Sequence, residues 1–256
     1  MTTSNNLEAT LRRLAPIDLA NNVPIYVVQQ NSHPPVDLLL LDSLGSFHPQ
    51  YDLTFQSWLD SCGRWLGRGP LLVLNDVAIR DVSPAEDAES NILGIALHEF
   101  AHALNVGFDL TERTAAEIAL IELRASFAIS RLNAAPPSTL PQTPWAGHDG
   151  HFIRVAAHLV FRAKRQGLAV ELDQAVNFSQ YGLRSSGDEY FYALTGEFER
   201  FADAPLSTLR NHQPPAAFVW RWRNDLADWC SQEPDDAKAA LAFHDMDHLF
   251  SGAEND

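Results

Sequence analysis

Residues 93–105, LGIALHEFAHALN, carry histidines at 98 and 102 and a glutamate at 99. On an α-helix, positions i and i+4 lie one above the other on the same face. The surrounding residues repeat with the same period. Leu93, Leu97, Phe100 and Leu104 form one apolar face, and Asn91, Gly94, His98, His102 and Asn105 form a separate stripe of small and polar residues. The segment is therefore expected to be a helix that buries one side in a core and turns the histidines toward a cleft. Ser83-Pro84-Ala85-Glu86 reads as a capping box with proline at the first helical position. It places the helix start near residue 84, with an end near Asn105 and Gly107 as the stop. Gly94 sits one turn before His98 and costs the helix about 1 kcal/mol relative to alanine. Close approach of another segment beside the histidines would account for that cost.

Two imidazoles stacked in this way can bind one metal ion. Glu99 points in a different direction and cannot readily ligate the same ion, which leaves it the general-base role that His-Glu-x-x-His usually marks. Zinc brings a bound water to a pKa of roughly 7, so hydroxide forms at neutral pH. A catalytic zinc site usually has three protein ligands, so a third is needed. Asn105 and Phe108 stand where the metzincin pattern requires glycine and histidine, which excludes that class. Glu122 lies twenty residues after His102 on an expected second helix (residues 114–133) and has no basic neighbour at i±3 or i±4. Glu117 has Arg113 at i−4 and reads as a surface ion pair. His148 and His151 fall where a proline-rich stretch, residues 133–150, delivers the chain into another helix. Asp109 is a further candidate. His158 shares four-residue spacing with Arg154 and Arg162, which reads as the polar surface of its helix.

The formal net charge of −15 and the absence of a basic run argue against a general nucleic-acid surface. Two cysteines, Cys62 and Cys230, form neither a disulfide framework nor a CxxC site. The N-terminal residues lack the pattern of a secretory signal, and no apolar run is long enough to span a bilayer. The expectation is a cytoplasmic protein with no membrane segment. Short apolar runs at residues 23–29, 36–41 and 69–79 read as strands, and residues 54–67 read as a helix. Four helices are expected after the proline-rich stretch, over residues 151–167, 188–202, 214–229 and 235–250. The fold class is α+β: a small mixed sheet packed on the His-Glu-x-x-His helix, then a mostly helical region. Residues 1–135 are expected to form the sheet-bearing core and residues 136–256 to complete the site, as two units or as one single domain.

His148-Asp149-Gly150-His151-Phe152 follows the form His-(Gly/Ser/Asp)-x-x-Phe. With the His-Glu-x-x-His segment it resembles the SprT-like and related zincin metallopeptidases. The resemblance implies that His98, His102 and His148 are the zinc ligands and Glu99 the base, with a peptide or protein as substrate. The same features fit a zincin fold kept as a non-catalytic binding or scaffold module with a retained metal site. A metal with four protein ligands would instead be structural. Glu122 and His151 remain rivals to His148. His244 to His248, HDMDH, mimics the motif, but Asp245 is one methylene short of a glutamate base. Met246 does not revive the metzincin class. Tyr190 and Tyr192 are possible oxyanion donors, although packing on the core explains them more simply. Phe218, Trp220 and Trp222 read as core residues.

Overall fold

The structure is a computed structural model that describes residues 4–15, 24–32, 43–48, 51–67, 69–106, 148, 150–178, 183–204, 208–209 and 212–232. Along the chain come α1 (Ser4–Leu14), β1 (Tyr26–Gln29), a 3-10 turn (Gln30–Ser32), β2 (Gly45–His48), α2 (Tyr51–Ser61), β3 (Leu71–Leu74), α3 (Asp76–Val82) and α4 (Ala88–Val106). After these follow α5 (Gly150–Arg165), α6 (Leu172–Ala175), α7 (Gly187–Ala193), α8 (Thr195–Phe201) and α9 (Ala216–Gln232). This is an α+β chain with a small mixed sheet.

The strands lie in the order β1-β3-β2, with β1 parallel and β2 antiparallel to the central β3. Every residue of β1 and β3 is buried, as expected of parallel strands covered on both faces. Side chains alternate across the sheet. Tyr26, Val28, Leu71 and Val73 meet Phe55 and Leu59 of α2 on one side, while Val27, Leu72 and Leu74 join the main core on the other. Glu8 of α1 accepts the Val27 N–H at 2.9 Å, and Arg64 donates to the Val27 carbonyl at 2.7 Å and pairs with Glu8. Together they satisfy backbone groups on an edge strand that would otherwise be open to pairing with another chain.

The helix α4 is the hub of the main core. It touches β2, β3, α1, α3, α5 and α6. Its apolar residues Leu93, Leu97, Phe100 and Leu104 are buried, as their spacing predicts. One buried cluster draws on residues from Leu7 to Phe218 and includes Phe152, Ile153, Val155 and Leu159 of α5.

Several boundaries differ from the sequence reading. Ser83 does not cap α4; it is the C-cap of α3, its hydroxyl accepts from Asn91 Nδ2 at 2.8 Å, and α4 begins at Ala88 after a turn. The helix expected over 54–67 ends at Ser61, and Trp65 stacks flat on Tyr26 with ring centroids 5.9 Å apart. The run at 69–79 divides into β3 and α3, because the Asn75 side chain accepts from Ala78 N–H at 3.1 Å and starts a helix there. The helix expected over 188–202 breaks at Leu194, where the Thr195 hydroxyl donates back to the Tyr192 carbonyl at 3.0 Å. Of the aromatic trio on α9, Phe218 is buried and Trp222 packs on the core, but Trp220 is 64% exposed. The strand expected at 36–41 and the helices expected at 114–133 and 235–250 lie outside the described residues. Among the described residues, no helix is long and apolar enough to cross a membrane.

Candidate metal centre

His98 and His102 come from the middle of α4, one turn apart. His148 stands just before the first turn of α5. Because α4 and α5 pack against each other, the three rings meet. Their Nε2 atoms form a nearly equilateral triangle with edges of 3.1 Å (His98 to His102), 3.0 Å (His102 to His148) and 3.0 Å (His98 to His148). Phe152, buried in the first turn of α5, packs against all three. Its ring centroid lies 4.4 Å from His102, 4.8 Å from His148 and 5.0 Å from His98.

Burial lowers the His98 imidazole to about 4, against the opposing effect of its bond to the Ala175 backbone. Burial, helped by the neighbouring His98 and His148, lowers His102 to about 2. Both rings are therefore neutral near pH 7, the state in which imidazole ligates a metal. His98 Nδ1 lies 2.8 Å from the Ala175 carbonyl oxygen. A carbonyl only accepts, so Nδ1 carries the proton and Nε2 presents a lone pair to the other two rings. Three nitrogens this close can all lie about 2.0–2.1 Å from one point, the usual zinc–imidazole distance. His98, His102 and His148 thus form a group that could hold a metal ion.

Glu99 faces the sheet side of α4 and is 6% exposed. Burial pushes its carboxyl up to about 8. A Cβ added to Gly45 of β2 would stand 2.6 Å from Glu99 Oε1 and 2.8 Å from Ile95 Cγ2, inside van der Waals contact. Gly45 is therefore what lets the strand pass against the carboxyl. Gly45→Ala is expected to destabilise the fold by about 1–3 kcal/mol, the usual cost of overpacking a tight interior, and to displace Glu99. Urea denaturation measures the first effect; an unchanged midpoint would show that the strand backs away freely.

The remaining sequence candidates fall in different places. His151 is on the first turn of α5 and is not in the three-nitrogen group. His158 is not a surface residue as its spacing suggested: it is buried, with Nε2 2.7 Å from Glu197 Oε1. Arg154 is buried beside it and forms a two-point pair with Glu197 at 2.7 and 2.8 Å. The stripe is polar, but Arg154 and His158 face Glu197 of α8 rather than water, and Arg162 donates to the Leu14, Ala15 and Ala204 carbonyls. Tyr190 is buried and donates to Asp225 at 2.7 Å, while Tyr192 is 82% exposed. Glu122, Glu117, Asp109 and the HDMDH segment lie outside the described residues. Sequence reasoning did not reach Phe152 as the common packing partner of the rings, although it is the last letter of the His-x-x-x-Phe form. Ala175 could not have been found, because it acts through a backbone carbonyl. Set against known protein families, curated proteins and solved structures, the chain matches none of them.

Proposed function

We propose that the chain is a zinc-dependent metallopeptidase of zincin type, in which α4 is the active-site helix packed on the small sheet. His98, His102 and His148 hold the ion, and Glu99 is the general base for hydrolysis of a peptide bond. The observation that carries this reading is the convergence of three imidazole nitrogens at 3.0–3.1 Å, two of them from a helix whose next residue is a buried glutamate. Imidazole is a common donor for zinc, and three protein ligands is the number catalytic zinc sites use. Bound there, zinc supplies the Lewis acidity that makes water a nucleophile near pH 7 and polarises a carbonyl.

The protein's own residues supply the rest. The neutral His98 and His102 imidazoles bind without first losing a proton. The Ala175 carbonyl orients the His98 ring, and Phe152 packs the three rings into one arrangement. Glu99, next to His98 on α4, is the carboxylate that would take a proton from water and return it to the leaving amine. The expected partner is a peptide or protein in the cytoplasm.

Metal analysis tests the reading. Purified protein is expected to contain one zinc per chain. His148→Ala should weaken zinc by more than the roughly 10–100-fold typical of losing an outer-shell partner, whereas Glu122→Ala should leave it bound. Absence of stoichiometric metal, or full retention in His148→Ala, overturns the ligand set. Bound zinc without activity on unfolded proteins or peptide libraries would instead favour a non-catalytic binding module.

A further inference from the structure

The stripe of α4 that carries the histidines is also where α6 docks. Gly94 makes the docking possible: a Cβ there would stand 2.6 Å from the Gln174 carbonyl oxygen and 2.7 Å from the Gln174 Cβ. The Gln174 side chain then fastens the two elements. Its Oε1 accepts the Glu171 N–H at 2.7 Å, which fixes the amide so that Nε2 faces α4. Nε2 donates to Ser90 Oγ at 2.8 Å and to Asn91 Oδ1 at 2.9 Å. Asn91 is itself held by Ser83, and Ser90 donates to the Asp87 carbonyl. The next residue after Gln174 is Ala175, whose carbonyl accepts the hydrogen bond from His98 Nδ1–H. The far side of α6 is held as well. Asp173 Oδ1 accepts the Gly187 N–H at 2.9 Å at the start of α7. Asp225 of α9 accepts from Ser185 and Tyr190, tying α7 in turn.

We propose that α6 is the positioning element of the metal centre: Gln174 locks it into the Gly94 gap, and the Ala175 carbonyl thereby holds His98 in the Nδ1–H tautomer with Nε2 turned toward the ion. The proposal rests on the metal-centre reading and adds a positioning residue, Gln174, that touches no ligand. A short helix is suited to the task. Its carbonyls beyond the first turn have no intrahelical partner, so one is available to a side chain on a neighbour. A backbone acceptor cannot titrate, so the partner that selects the tautomer of the neutral His98 ring does not change with pH. The C-terminal helices would therefore reach the centre twice, through His148 and through Ala175.

Two variants and two readouts test this. Gln174→Ala removes the fastening, and Gly94→Ala fills the gap. Each is expected to raise the zinc dissociation constant by about 10–100-fold, the range for losing an outer-shell partner, measured by competition with a chromophoric chelator. Long-range 1H–15N spectra of the metal-free protein should show His98 protonated at Nδ1 in the wild type and at both nitrogens, in exchange, in the variants. Leu59→Ala, on α2 across the sheet, controls for general loss of stability: it should lower the unfolding midpoint and leave zinc affinity unchanged. Wild-type protein that binds no zinc overturns the metal centre itself. A wild-type His98 protonated at Nε2 overturns the positioning role and leaves the centre intact. So does wild-type zinc affinity in Gln174→Ala and Gly94→Ala, or a loss no greater than that of Leu59→Ala.

Discussion

Glu99→Gln is expected to leave zinc bound and to lower kcat/KM by about 10²–10⁴-fold, the range over which a positioned general base contributes. Glutamine keeps the length and shape of the side chain that fits against Gly45. It has no lone-pair site basic enough to take a proton from water. The three imidazole nitrogens are untouched, so zinc content and affinity should match the wild type. Glu99→Asp divides the problem differently. It keeps a carboxylate but withdraws it by one methylene from a buried position, so it should fall between the wild type and glutamine. Turnover of a fluorogenic peptide library, measured beside zinc content on the same preparations, separates the outcomes. Wild-type turnover in Glu99→Gln would remove Glu99 from the mechanism. Loss of zinc together with turnover would make its part structural.

The sequence exposes this site where the determinants are local, and hides it where they are not. The α4 helix is legible because Leu93, Leu97, Phe100 and Leu104 repeat at helical spacing and are all buried on one side. Gly94 is legible as a close approach, since a glycine in the middle of a helix needs a reason, but nothing local identifies Gln174 as the residue that approaches. Spacing also shows which side chains share a face without showing what that face meets. Arg154 and His158 are the instructive case. Their four-residue interval reads as a solvated stripe, and the acid that draws it inward, Glu197, lies some forty residues further on. Ser83 failed for a related reason. Its sequence suits a cap, but in the fold its hydroxyl is taken by Asn91. His148 was reachable because the His-x-x-x-Phe form couples a histidine to the ring that packs it, and both ends of that form meet the α4 histidines.

The largest expected effect on stability lies away from the three-histidine group, at Glu197. Its carboxylate receives Arg154 Nε and Nη2 and the His158 Nε2–H, all within 2.8 Å and all buried. Arg154 Nη1 also donates to the Leu209 and His212 carbonyls, so one guanidinium joins α5, α8 and the segment that leads into α9. Glu197→Ala would strand a buried guanidinium, which costs about 3–5 kcal/mol and should appear as a lower urea midpoint in chelator-treated protein. The pH dependence follows from the same contacts. Burial would raise the Glu197 carboxyl, but its bonds from His158 and Arg154 outweigh that and hold it below its usual range. Burial holds the His158 imidazole low, against the pull of Glu197. Both groups bind fewer protons folded than unfolded, so both make stability fall as pH falls. The loss through His158 begins at the ordinary histidine pKa near 6.5, and the loss through Glu197 adds below the ordinary carboxylate value near 4.5. The full gap between wild type and Glu197→Ala should be present above the ordinary carboxylate value near 4.5 and should narrow below it, as the wild type protonates its own carboxylate. A gap that stays constant as the pH falls well below 4.5 would mean that the ionised Glu197 is not what holds Arg154 in the core.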